Sequence, residues 1–306
     1  MHHLAYVGNG PYCYANSFAM LLGEQSPSTA VIEVATGGPF GMQLIGDRLV
    51  FFDAYGWNPE MGFDQALNAF GWTSTINKGG DAHGALARLT AAATTGPVWV
   101  GPVEMGHLRH QPEMAGPIGA DHYVVVLDVD DERVLIHDPQ GYPYAEVPIN
   151  DFMTAWRADT VNYGDPYTMR TDFVKVADIS DADAIRSIIP SAIEWLSTRT
   201  DPEMPPGSLG NGEAAERVAD MIDAGAGGGL REHLIYFAIR VGARRLSDTA
   251  DCLTLAGYTE AAAIAATQAR LVGSMQHSMV TGNFSTAATA LRQLAPTYSQ
   301  LRAALV

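Results

Sequence analysis

The sequence predicts an α+β domain over residues 1–177 followed by an α-helical domain over residues 178–306. Three observations carry this. Up to about Val176, apolar stretches at helical spacing alternate with short β-branched runs. Within that half, two β-branched runs separated by an acidic turn over residues 121–139 read as an antiparallel hairpin. From Asp181 onward only helical periodicity remains. A chain of 306 residues with 47% hydrophobic content can bury a core in each part.

Taken in order, the apolar run Tyr14-Ala15-Asn16-Ser17-Phe18-Ala19-Met20-Leu21-Leu22 follows the breakers Gly8-Asn9-Gly10-Pro11, so a helix begins at about Cys13. Gly37-Gly38-Pro39-Phe40-Gly41 is a loop without the spacing of a nucleotide-binding loop. Residues 49–52 read as a strand, and 62–70 and 81–93 as helices. Val98-Trp99-Val100 is a short buried strand. Residues 104–119, rich in Gly, Pro, His and Met, form a long loop, and since it leads into the next strand a substrate-facing lid is expected there. Residues 146–156 read as a strand and then a helix begun by Asn150 or Asp151, and a strand near 173–176 closes the domain. In the second domain, residues 181–196, 212–224, 230–255, 259–279 and 285–305 are helical, with breakers at 201–211 and 225–229. Stripes such as Leu234, Phe237, Ala238, Val241 and Leu246 face its core.

Cys13 is the residue that most constrains function. At a helix start, unpaired N–H groups and the positive end of the dipole favour the thiolate, the form that attacks carbonyls. If the hairpin turn centres on Asp130-Asp131, cross-strand position numbers sum to about 260, which sets His122 opposite Asp138 with Cβ atoms roughly 4.5–5.5 Å apart. An imidazole and a carboxylate so placed can hydrogen-bond, which fixes the tautomer and stabilises the imidazolium. Cys13, His122 and Asp138 then supply nucleophile, base and orienting carboxylate. His137 alternates to the other face and is structural. His107 and His110 have a metal-compatible spacing only on a helix, with no further ligand nearby, so no metal or other cofactor is expected.

These residues resemble a known family. Cys, then a distant His opening an apolar strand, then Asp-Pro closing the next, is similar to the papain-like cysteine peptidases that process bacteriocin leaders. A closer resemblance is to the butirosin-biosynthesis acyltransferase family, carried by Tyr12-Cys13 through Leu22, Gly37-Gly38-Pro39-Phe40-Gly41, Gly96-Pro97-Val98-Trp99-Val100 through Arg109, and the His122 to Asp138 hairpin. It covers nearly the whole chain. The resemblance implies a papain-like fold followed by a helical domain. It also implies transfer of an acyl group from a carrier-protein or CoA thioester to a small-molecule amine such as an aminoglycoside, in natural-product biosynthesis. Cys13 would be the nucleophile, His122 the general base and acid, and Asp138 the orienter. Papain-like enzymes place an oxyanion-donating glutamine about six residues before the cysteine; Val7 stands here. Asn9 and the Cys13 backbone N–H are the candidate oxyanion donors, Asn9 being equally readable as a turn residue.

The formal charge of −16 opposes nucleic acid and anionic membranes as partners. It suits a cationic acceptor, but acidity for solubility explains it as well. No apolar run approaches the ~20 residues that cross a bilayer, and Met-His-His-Leu does not open a secretory signal, so a cytoplasmic protein is expected. The two cysteines lie far apart, Cys252 on a helical pattern as a small buried hydrophobe, so no disulfide framework is expected. The helical domain could cover a cleft, bind a carrier protein or pair with a second copy into a homo-oligomer. Two alternatives to acyl transfer stand: a cysteine peptidase or amidase using water, and a catalytically silent binding or scaffold protein.

Overall fold

The computed structural model describes residues 12–197 and 203–306. It is a mixed α+β chain with antiparallel sheets and a helical C-terminal region. The helices are α1 (Cys13–Leu22), α2 (Thr29–Ala35), α3 (Pro59–Ala69), α4 (Ala82–Thr95), α5 (Ile149–Arg157) and α6 (Asp181–Trp195). They continue as α7 (Asn211–Asp223), α8 (Gly228–His233), α9 (Ile239–Ala256), α10 (Thr259–Thr281), α11 (Phe284–Leu294) and α12 (Thr297–Leu305). The first strands are β1 (Gln43–Ile45), β2 (Leu49–Phe51), β3 (Trp72–Asn77), β4 (Val98–Glu104) and β5 (Asp121–Val129). β6 (Arg133–Asp138), β7 (Tyr142–Pro148), β8 (Met169–Lys175) and β9 (Leu209–Gly210) complete the set. No helix among the described residues is long and apolar enough to cross a membrane.

The described residues fall into two compact units, one of residues 12–29 and 71–178, the other of 30–70 and 179–306. The first is built on an antiparallel sheet in the order β3-β8-β4-β5-β6-β7. β4 is buried along its whole length and β5 through its centre. A strand covered on both faces reads as a continuous apolar run, which is why Val98-Trp99-Val100 and Tyr123 to Leu127 stand out in the sequence. α4 and α5 cover one face, burying Leu89, Phe152 and Trp156 against Val100, Val124, Val126 and Ile136. α1 covers the other. Phe18 stacks on Trp99 at 4.8 Å between ring centres, Trp99 stacks on Tyr123 at 4.8 Å, and Met20 packs with Val125, Leu127 and Leu135. β3, an edge strand, carries mostly polar or exposed residues and so gives little apolar signal.

The second unit holds α6 to α12 and the small sheet β2-β1-β9. The sequence places residues 30–70 with the first domain; the structure places them here, although the chain still enters the helical region near residue 178. The reason is a buried ionic cluster. Arg245 of α9 donates through Nε to Glu33 Oε1 at 2.6 Å and through Nη1 to Asp53 Oδ2 at 3.3 Å. Gln43 Nε2 donates to Asp53 Oδ1 at 2.6 Å, and the guanidinium lies 5.8 Å from the Trp57 ring centre. Two carboxylates and a guanidinium so enclosed have little water to return to, so they hold the segment and α9 together. Gly242, three residues earlier on the same helix, leaves room for Phe52: a Cβ there would stand 2.4 Å from its ring.

Two expected helices are divided. Residues 285–305 split into α11 and α12 around Ala295-Pro296, since proline lacks the N–H that would continue the ladder. The stretch expected as one helix over 230–255 contains a π-helical turn, Leu234–Ala238, between α8 and α9.

Removing one partner of a buried pair leaves uncompensated charge and costs about 3–5 kcal/mol. Arg245→Met, which keeps the apolar stem but strands Glu33 and Asp53, should therefore lower unfolding free energy by that amount in denaturant titrations. A loss under about 1 kcal/mol, the scale of an exposed ion pair, would show that the cluster does not hold this unit together.

Candidate active site

Cys13 opens α1, with Tyr12 as the residue before it. Tyr12 takes a left-handed conformation, φ 94°, that a side chain other than glycine rarely adopts. Backbone strain of this kind persists where surrounding structure fixes it, and often beside reactive residues. The Tyr12 side chain does not cap α1, and no acidic residue lies in its first turn to compete for the positive end of the dipole. Cys13 is partly exposed, while the next seven residues are buried. One turn on, Ser17 Oγ donates to the Tyr123 carbonyl at 3.2 Å. That bond ties the helix to β5 at the residue following His122.

His122 and Asp138 are 1% and 0% exposed, and His122 Nε2 lies 2.8 Å from Asp138 Oδ1. The expected contact is therefore present, but the expected register is not. β5 pairs with β6 as Val125↔His137 and Val126↔Ile136, with a bulge before Asp128↔Leu135. Continued to the strand end, this register sets Asp138 opposite Val124, two residues from His122. A two-residue displacement keeps the same face, so the pair meets diagonally. The β4–β5 register also shifts between Val100 and Val103, next to the Val103↔His122 pair. Bulges of this kind re-aim side chains.

The Cys13 side chain hydrogen-bonds to His122. With Nε2 committed to Asp138, Nδ1 is the ring nitrogen left to face the thiol. The three residues expected to act together thus form one line. Burial by itself pushes His122 toward its neutral form; the Asp138 charge and hydrogen bond, with Cys13, outweigh it and raise the His122 pKa to about 10. Burial likewise opposes ionisation of Asp138, but His122, His110 and the Gln140 N–H hold its carboxyl far below the usual range. The resting pair is imidazolium and carboxylate.

Asp138 has more partners than the sequence suggests. Oδ1 also accepts from the Gln140 backbone N–H at 2.8 Å, a turn bond available to any Asp two residues upstream. Oδ2 accepts from Gln111 Nε2 at 2.6 Å and from His110 Nε2 at 2.8 Å. Neither residue carries a periodic signal, because both sit in the irregular segment after β4. Among the described residues no three His, Cys, Asp or Glu side chains form a group that could hold a metal, and His110 is turned to Asp138 instead. His137 is fully buried and accepts from the Tyr144 N–H at 3.1 Å. Cys252 is buried, and that burial, with Asp248, Asp251 and Asp181 nearby, pushes its thiol up to about 12. Asn9, the side-chain candidate for an oxyanion donor, lies outside the described residues. The Cys13 N–H, as the first of the helix, has no acceptor within α1.

Comparison with known proteins adds a relationship. Residues 205–306 match the YobF C-terminal domain family. The chain is also 27% identical over 252 residues to the uncharacterized protein YobF of Bacillus subtilis (strain 168), covering 81% of this chain and 80% of that one. The match extends well beyond the C-terminal domain, since 252 residues cannot fit within the final 102.

The shifted pKa values fix a pH dependence of stability. His122 is raised from an unfolded value of ~6.5, so its contribution is complete below that pH and is lost as pH rises toward about 10. Asp138 is lowered, so its contribution is present above its unfolded value of ~3.9 and lost only as pH falls through the folded one. Asp138→Asn should thus be destabilised most between about pH 4 and 6.5, with the gap to native protein narrowing toward pH 10. Denaturant melts across that range check this; a gap that widens with pH contradicts the assigned charges.

Proposed function

We propose that this chain is a cysteine-dependent acyltransferase whose first unit is a papain-like catalytic domain. The hydrogen-bonded line Cys13, His122 and Asp138 carries the reading. A reachable thiol faces a buried, charged imidazole whose far nitrogen is fixed by a carboxylate. The likeness of the motifs around these residues to the butirosin-biosynthesis acyltransferase family points to a carrier-protein or CoA thioester as donor and a small-molecule amine as acceptor, in a cytoplasmic biosynthetic setting.

In the first half-reaction the Cys13 thiolate attacks the thioester carbonyl and forms the acyl–Cys13 bond. The donor's carbon–sulfur bond breaks, and the departing sulfur takes the proton from His122. In the second, the acceptor amine attacks acyl–Cys13. Its proton passes to His122, the new amide forms, and Cys13 leaves as thiolate beside a recharged imidazolium. Asp138 stays ionised throughout and stabilises the imidazolium at each end of the cycle. The Cys13 N–H is a donor for the oxyanion.

One observation favours a second reading, a cysteine peptidase or amidase. Cys13 is partly exposed, which gives water access to an acyl intermediate. The triad serves either acceptor.

Incubation with a panel of acyl thioesters, followed by intact-protein mass spectrometry, should show one acyl adduct on native protein and none on Cys13→Ala. Discharge by added amines faster than by water selects the transferase; the reverse selects the hydrolase. Absence of any adduct, with iodoacetamide labelling as slow as for an ordinary thiol of pKa ~8.5, leaves the silent binding protein.

A further inference from the structure

Residues 104–119 are expected as a substrate-facing lid; Glu104 instead closes β4 and fastens the segment after it to the end of the sheet. Glu104, 1% exposed at the close of β4, accepts from the N–H groups of Gly106 (3.1 Å), Ile118 (3.0 Å) and Gly119 (3.0 Å) and from the Thr160 hydroxyl. Burial works against its charge, yet these donors hold its carboxyl below the usual range. Backbone bonds from Met105 N to Ala120 O and from Gly116 N to Gly106 O close the segment on itself. Gly106 permits that closure, since a Cβ would stand 2.0 Å from the Gly116 carbonyl oxygen. Leu108 is fully buried in the core under the sheet. What this construction presents is His110 and Gln111, both to the same oxygen of Asp138.

We infer that His110 and Gln111 are positioning residues for the reaction proposed above, fixing the plane of the Asp138 carboxylate so that Oδ1 remains on His122. The inference rests on that reading of Cys13. An aspartate carboxylate turns easily about its last torsion and has about four acceptor positions. Two on Oδ1 are taken by His122 Nε2 and Gln140 N–H, and two on Oδ2 by His110 and Gln111. Rotation would break the second pair. His110 has no competing use: its Nδ1 is buried without a hydrogen-bond partner among the described residues, and its ring rests edge-on against Tyr142 at 5.4 Å. Gln111 is 5% exposed. Both act through Asp138 on His122, and through His122 on the ionisation of Cys13.

The test follows Cys13 alkylation by iodoacetamide against pH in native protein, Cys13→Ala, His110→Ala, His110→Gln, Gln111→Ala and Gln111→Glu, with circular dichroism as the check on folding. Loss of a hydrogen bond to a charged group should slow alkylation at pH 7 by about tenfold to a hundredfold in His110→Ala and Gln111→Glu. The acid inflection of the profile should move up toward the ordinary thiol value of ~8.5, because a loosened Asp138 no longer sustains the imidazolium. His110→Gln, whose amide can still donate to Oδ2, should recover the rate to within about threefold. Alanine variants with the native profile overturn the inference and leave the proposed function standing. A native profile that is already that of an ordinary thiol overturns both. Should the alanine variants fail to fold, the near-isosteric Gln111→Glu decides alone: a native profile there also overturns the inference.

Discussion

The first unit is organised around a carboxylate that has been removed from water. Asp138 is fully buried and ionised, a state that is costly unless every acceptor position is met. Among the described residues, donors meet it from β5, from the turn after β6, and twice from the segment after β4. Each of those elements is in turn held by something else: β5 by its neighbours in the sheet and by Ser17 of α1, the segment by Glu104. Two buried carboxylates at the same end of the sheet, each satisfied by several donors, set the positions of most of the irregular backbone around the site.

The consequence for chemistry runs in one direction. A fixed, charged Asp138 keeps His122 charged despite its burial, and a charged His122 favours a thiolate at Cys13. The helix start contributes independently, through the positive end of its dipole and the absence of acidic residues in the first turn. Sheet and helix therefore act on the same sulfur. The aromatic stack of Phe18, Trp99 and Tyr123, with Met20 against Val125, Leu127 and Leu135, brings the two together.

The second unit uses the same device for a different end. There the buried charge is Arg245, and its partners Glu33 and Asp53 lie 212 and 192 residues earlier in the chain. This is why a division read along the chain misplaces residues 30–70. Nothing local in that segment, two helices and a small hairpin, says which neighbour it will join.

The sequence by itself determined the elements whose signal is local. Cys13 at a helix start, the hairpin of β5 and β6, the run of C-terminal helices and the burial of Cys252 follow from periodicity, breakers and composition. It also placed His122 and Asp138 on one face, because a register error of two residues leaves parity intact. Only tertiary structure decided what depends on contacts between distant segments. The diagonal pairing of His122 with Asp138, the recruitment of His110 and Gln111 from an irregular segment, and the joining of residues 30–70 to α9 by Arg245 are of this kind. The physical reason is common to all three: a buried charge selects its partners by proximity in space, and periodicity along the chain carries no record of that choice.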